Sequence, residues 1–225
     1  MDANRVSVAV LVGVLAVGAW FIFKGLTSPP AKVEPGLSAD NSLFNSSLPP
    51  ASPQEVKRQP PATAKPQYGK APNLYAPDQL RGRKMVLQTD KGTIEIEIYP
   101  EATAAASNII FLTEAHFYDG LTFHRVEPGF VVQGGDPNGN GTGGPGYTMV
   151  EKNIIGRYDK GVVAMAKRAD EPAGTLGSQF FIMLEDAPRL PPDYAVVGKV
   201  ISGQDVVSKI RIGDRIRKAV IEPPV

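Results

Sequence analysis

The C-terminal part of this sequence predicts a mainly β domain of short antiparallel strands, arranged as a barrel or a sandwich and accompanied by two helices. An apolar membrane helix and a proline-rich spacer are expected to precede it. Three observations carry this reading. Residues 6–23 form an 18-residue run without a charge. Between residues 27 and 80 lie 11 of the 21 prolines. Beyond residue 84, short apolar runs alternate with glycine and proline, the texture of strands and tight turns and not of βα units.

As a helix, the run 6–23 would measure about 27 Å at roughly 1.5 Å per residue, close to the hydrocarbon thickness of a bilayer. Trp20 and Lys24 stand where an interfacial anchor belongs. The run is longer than a usual signal-peptide core, and its one small-residue triplet, Val17-Gly18-Ala19, is followed by more apolar residues. An uncleaved anchor within residues 1–26 is therefore expected. Arg5 before the run and Lys24 and Lys32 after it leave the positive-inside rule without a decision. The short N-terminal tail and large C-terminal domain follow the signal-anchor layout, which places the domain outside the cytoplasm. Residues 27–80 are poor in large apolar side chains and rich in Pro, Ser, Ala, Lys and Gln, so they read as a disordered spacer. The folded domain is then expected over residues 81–225.

Its first elements form a hairpin. Residues 84–89 and 93–99 flank the turn Asp90-Lys91-Gly92, with Ile94, Ile96 and Ile98 on one face and Glu95 and Glu97 on the other. Pro100 breaks the strand. Alanine-rich residues 102–116 predict a helix with Ile109, Leu112 and Phe117 turned inward, ended near Gly120. Further strands are expected at 121–126, 130–133, 161–166, 180–183, 195–201 and 218–222, and a second helix at 204–212, between Gly203 and Gly213.

Composition removes several classes of chemistry. The chain holds 24 Lys+Arg against 23 Asp+Glu, and no basic stripe that would mark a nucleic-acid binder. With no cysteine there is no thiolate nucleophile or Cys-ligated metal, and two histidines, His116 and His124, are too few for a multi-histidine metal site. Gly139-Asn140-Gly141-Thr142-Gly143-Gly144 has the spacing of a dinucleotide loop. Its flanks, Asp136-Pro137-Asn138 and Pro145-Gly146, favour turns and supply no helix for a phosphate. Ser178 lacks the second glycine of a hydrolase elbow. What stands out is a set of fork-shaped polar groups, Arg125, Gln133 and Gln179, interleaved with Phe123, Phe130, Phe180 and Phe181.

Those residues lie in a recognisable pattern. The run Tyr118-Asp119-Gly120-Leu121-Thr122-Phe123-His124-Arg125-Val126-Glu127-Pro128-Gly129-Phe130-Val131-Val132-Gln133-Gly134-Gly135-Asp136 resembles the signature of the cyclophilin family. Gly141-Thr142-Gly143-Gly144, Met165-Ala166, Gly177-Ser178-Gln179-Phe180-Phe181-Ile182 and Val197-Gly198-Lys199-Val200 continue it in order, over nearly all of residues 84–222. The resemblance implies a closed eight-stranded antiparallel β-barrel capped by two α-helices, and a monomeric peptidyl-prolyl cis-trans isomerase that needs no cofactor and no metal. Its partners would be proline-containing protein or peptide clients, its role to assist their folding, and the N-terminal helix would tether it to a membrane. By the same resemblance Arg125 is the catalytic arginine, with Gln133 and Phe130 beside it. Val131, Phe181, Leu190 and Tyr194 join Phe130 around the proline, and Gly141, Ala166, Lys167 and Gln179 border the peptide groove. The pattern is broken at three places. Arg189 stands where the family often has tryptophan, which predicts weak binding of cyclosporin. Tyr194 stands where many members place a pocket histidine. The loop between Lys167 and Leu176 is about three residues longer than in compact members and opens with Lys167-Arg168.

Two rivals to the enzyme are a proline-peptide binding module with little turnover and a structural tether for a partner complex.

Overall fold

The computed structural model describes residues 64–224. The expected membrane helix and the spacer up to residue 63 lie outside the described residues; among the described residues no helix is long and apolar enough to cross a membrane.

In chain order the elements are α1 (Pro77–Leu80), β1 (Lys84–Thr89), β2 (Gly92–Ile98), α2 (Thr103–Glu114), β3 (Arg125–Glu127), β4 (Val131–Gly134), β5 (Met149–Val150), β6 (Val162–Met165), β7 (Thr175–Leu176), β8 (Phe180–Met183), β9 (Val196–Ser202), α3 (Gln204–Lys209) and β10 (Ile216–Glu222). Eight strands form one antiparallel sheet in the order β10-β1-β2-β9-β6-β8-β4-β3, and β5 and β7 pair separately. The expected hairpin is β1–β2, with Thr89 opposite Gly92 and Met85 opposite Ile96. Ile94, Ile96 and Ile98 are buried, as their period of two requires.

The sheet curls until its edges come together just before β3 and β10. Thr122 and Arg215 form an antiparallel bridge. Around it Phe123 N donates to Asp214 O (2.9 Å), Gly213 N to Phe123 O (3.0 Å) and Ile216 N to Leu121 O (2.8 Å). Residues 121–124 are thus spent on this seam, which is why the strand expected at 121–126 begins only at Arg125. The helix expected at 204–212 ends at Lys209, because Ile210 turns to an extended backbone and buries its side chain. The two-residue strands β5 and β7 are too short to leave a periodic signal.

Residues 64–80, assigned above to the spacer, lie against the domain. Tyr68 and Tyr75 pack on the main core and Leu80 is fully buried within it. Pro77 opens α1 at a position whose N–H has no helical partner in any case. The low apolar content averaged over residues 27–80 concealed three large side chains gathered near its end.

Helix α2 buries almost its whole length, including Ile109, Ile110 and Leu112. Its N-cap, Ala102, offers no side-chain acceptor. Glu151, just past β5, replaces it: Oε2 accepts from Ala104 N (2.8 Å) and Ala105 N (3.2 Å), and Oε1 accepts from Asn153 N (2.8 Å). A buried anion is tolerated there because three N–H groups and the positive end of the helix dipole surround it. Glu151→Ala is expected to lower the unfolding free energy by about 2 kcal/mol, read from the urea midpoint, since charged capping bonds are lost. An unchanged midpoint would contradict that role.

Candidate active site

Strand alternation gives one set of strands two buried faces. On β8, Phe180 and Ile182 enter the main core, whereas Phe181 and Met183 join a second apolar cluster. On β6, Val163 and Met165 face the first, and Val162 and Ala164 the second. Tyr158, Val131 and Val196 complete this second cluster, with Phe130, Leu190 and Tyr194 packed against it. Both faces being covered, β8 is buried throughout. It accordingly reads as an unbroken apolar run and not as an alternation.

Register then aligns the chemistry. Arg125 pairs with Gln133 across β3–β4, Gln133 with Phe181 across β4–β8, and Phe181 with Ala164 across β8–β6. Directly opposed residues share a face, so a guanidinium, an amide, an aromatic ring and a methyl group form one row. A cavity of about 450 Å³ opens above that row. Of the eleven residues assigned by resemblance, ten line it: Arg125, Phe130, Val131, Gln133, Gly141, Ala166, Lys167, Phe181, Leu190 and Tyr194. The eleventh, Gln179, lines an adjoining cavity and bonds to Gln133. Phe123 and Phe180, grouped with the polar residues on sequence, point the other way into the main core and take no part.

The polar side is a directed chain of hydrogen bonds. Arg125 Nη1 donates to Gln133 Oε1 (2.9 Å), and Gln133 Nε2 donates to Gln179 Oε1 (3.0 Å). Gln179 Nε2 donates to the carbonyls of Gly141 (3.0 Å) and Gly143 (2.9 Å). A guanidinium can only donate and a carbonyl can only accept, so both amide orientations follow from the two ends. The glycine loop is itself held by Asp136, whose carboxylate accepts from Asn138 N (2.8 Å), Asn140 N (2.8 Å) and Gly141 N (2.5 Å). Those N–H groups face inward to a carboxylate, which removes them as a phosphate cradle. Gly135, at φ +83°, lets β4 pass the Ser178 carbonyl where a Cβ would collide. Ser178 Oγ donates to Gly135 O (2.7 Å) and fixes that crossing.

The apolar side is equally constrained. Phe181 meets Tyr194 edge to face, centroids 5.3 Å apart at 88°. Tyr194 is clamped at its backbone: Tyr158 Oη donates to Tyr194 O (3.1 Å) and accepts from Tyr194 N (3.0 Å). Lys167 Nζ sits 5.7 Å from the Tyr194 ring centroid and donates to the carbonyls of Arg168 (3.2 Å) and Glu171 (3.0 Å). The long loop thus folds back onto its own lysine.

Sequence reasoning overlooked Glu127. Its Oε1 accepts from both Nε (2.9 Å) and Nη2 (2.5 Å) of Arg125. The signal was available, since residues two apart on a strand share a face. His124 also lines the cavity. Its ring nitrogens meet no partner among the described residues. Burial, with Arg125 nearby and opposed only by Asp136, holds its pKa below the usual imidazole value. It is therefore neutral at pH 7 and adds no charge beside Arg125.

Among the described residues no cluster of His, Asp and Glu could hold a metal ion. The arrangement offers a fixed cation at the mouth of an apolar slot, suited to gripping a compact apolar ring while donating a hydrogen bond to an atom at its edge.

Comparison with known proteins gives a consistent picture. A family model described as cyclophilin type peptidyl-prolyl cis-trans isomerase/CLD matches residues 84–225. Peptidyl-prolyl cis-trans isomerase B of Bacillus subtilis is 44% identical over 140 residues, covering 60% of this chain and 95% of that protein. A peptidyl-prolyl cis-trans isomerase of Helicobacter pylori is 42% identical over 140 residues, covering 60% and 83%. Among solved structures, a Cryptosporidium parvum cyclophilin type peptidyl-prolyl cis-trans isomerase, crystallised in the presence of the dipeptide Ala-Pro, superposes with a TM-score of 0.56 at 29% identity. The match covers 62% of this chain and 98% of that one.

Proposed function

The chain belongs to the cyclophilin-type peptidyl-prolyl cis-trans isomerases, and from that premise we propose that Arg125 is its catalytic residue, acting on the prolyl nitrogen of a client held in the 450 Å³ cavity. The observation that carries this reading is the hydrogen-bond chain from Arg125 through Gln133 and Gln179 to the glycine loop.

Rotation about an X-Pro bond breaks no covalent bond. Its barrier is lost amide resonance, roughly 18–20 kcal/mol, and uncatalysed exchange takes tens to hundreds of seconds. At the top of that barrier the prolyl nitrogen is pyramidal and carries a lone pair that the planar ground state lacks. A donor aimed at this atom binds the twisted amide better than the flat one, and such differential binding lowers the barrier. Arg125 has five N–H bonds. Glu127 takes the one on Nε and one on Nη2, and Gln133 takes one on Nη1. One N–H on each terminal nitrogen is left to meet the substrate. Phe130, Val131, Phe181, Leu190 and Tyr194 enclose the ring, so that the acyl side rotates against it. No proton is transferred, which suits a site whose histidine is neutral.

Arg125→Ala is expected to lower kcat/KM for a proline-containing test peptide by roughly a hundredfold, the scale of losing one donor aimed at developing charge. Arg125→Lys should recover only part, because an ammonium lacks the planar fork that Gln133 and Glu127 hold. Wild-type turnover by the folded Arg125→Ala protein would refute the assignment.

The proposal extends to location and role. The uncharged run 6–23 supports a membrane helix, residues 27–63 a spacer, and the signal-anchor layout an extracytoplasmic domain that assists the folding of clients. The full chain should then stay with membranes after an alkaline carbonate wash, whereas residues 64–225 alone should not. Release of the full chain by that wash would contradict the anchor.

A further inference from the structure

The family model begins at residue 84, yet the segment before it is built into the groove. Lys65 Nζ donates to the carbonyls of His116 (3.1 Å) and Asp119 (2.5 Å), and Tyr75 N donates to Ser107 Oγ (2.9 Å). Between these two clamps Tyr68 meets Phe111 edge-on, centroids 5.0 Å apart, and lies 6.3 Å from Phe117 and 6.4 Å from Tyr147. Tyr68 N donates to Pro145 O (2.7 Å) and Gln67 Nε2 donates to Gly144 O (2.9 Å). Gly146, at φ +90°, faces this contact. A Cβ there would sit 2.9 Å from the Tyr68 carbonyl and 3.1 Å from its nitrogen. Two backbones approach so closely that only glycine fits.

The loop held in this way is met by the segment at Gly144 and Pro145, while its Gly141 stretch is anchored separately by Asp136 and Gln179. It is also one wall of a second cavity, about 490 Å³, that shares Gln133, Gly141, Ala166 and Lys167 with the first. Gln67 itself lines that second cavity. The two cavities adjoin through four shared residues, so a client whose proline fills the first can lay the residues on one side of it along the second.

We propose that Gln67 and Tyr68 are specificity-determining residues of the isomerase. They form a strap that fixes the wall of the second cavity, and that cavity receives the extended peptide segment beside the proline. The proposal rests on the isomerase reading and adds to it a dependence on substrate length. A peptide confined to the proline pocket does not sense the strap; a longer one does.

The test uses the full chain, wild type beside Gln67→Ala and Tyr68→Ala, with two probes of common centre: a tetrapeptide around Ala-Pro and an octapeptide containing it. KM and kcat come from isomerisation, Kd from fluorescence anisotropy, and Tm checks folding. Gln67 is exposed, so its replacement leaves the fold intact even where loss of Tyr68 loosens it. Gln67→Ala should raise KM and Kd for the octapeptide roughly three- to tenfold, the scale of one hydrogen bond and its fixed loop. Octapeptide kcat, tetrapeptide KM and Tm should not change. Tyr68→Ala should act in the same direction and more strongly. Equal constants for wild type and Gln67→Ala with the octapeptide would overturn the proposal, as would an equal rise for both peptides. Should wild type turn over neither peptide yet bind the octapeptide in a Gln67-dependent way, the strap stands and the isomerase reading falls.

Discussion

A guanidinium can only donate hydrogen bonds, and Arg125, on a three-residue edge strand with its side chain nearly half exposed, is held entirely by where it donates. Two oxygens receive it, Gln133 Oε1 and Glu127 Oε1, and they bind different edges of the same plane. Exposed ion pairs contribute little to stability, so the value of this arrangement is geometric. Orientation fixed before substrate arrives needs no reorganisation during the reaction. Everything upstream serves that fixity. Gln133 can present oxygen to Arg125 only if its nitrogen has an acceptor, which Gln179 supplies, and Gln179 in turn needs the Gly141 and Gly143 carbonyls. Asp136, which accepts from Asn138 N, Asn140 N and Gly141 N, keeps that stretch of loop in place.

The apolar half of the site comes from the same strands by a different rule. Because side chains alternate, each residue that the main core claims from β4, β6, β8 and β9 leaves a neighbour for the opposite face. Phe181 could not line the cavity unless Phe180 filled the interior. Fold stability and site shape are thus set by adjacent residues with separate surroundings. Arg189, which stands where the family often has tryptophan, is exposed, and Leu190 beside it packs against the second cluster.

What was legible in the sequence followed from periodicity and from ordered motifs. The hairpin of Ile94, Ile96 and Ile98 and the buried face of α2 could be read from spacing, and the row Arg125, Gln133, Phe181 from the family signature. Three things were hidden, each for a physical reason. Glu127 lies within the signature but earns its part only through the side-chain direction it shares with Arg125. Glu151 caps α2 by accepting from Ala104 N, 47 residues earlier in the chain, and such a partnership has no local pattern. Tyr68 and Gln67 sit in a segment whose average composition is that of a spacer. A single aromatic residue docked between Phe111 and Tyr147 does not alter an average, yet it decides where the packed chain begins.

The central claim, that Gln133 and Gln179 act on Arg125 as one continuous chain beside the Glu127 contact, is tested most directly by a double-mutant cycle. Gln133→Ala, Gln179→Ala and the double variant would be compared by kcat/KM on one proline-containing peptide. If the chain acts as a unit, either break frees the Nη1 side of Arg125, and the double variant should be no slower than Gln133→Ala alone. Losses that multiply, as for two unconnected sites, would contradict the account.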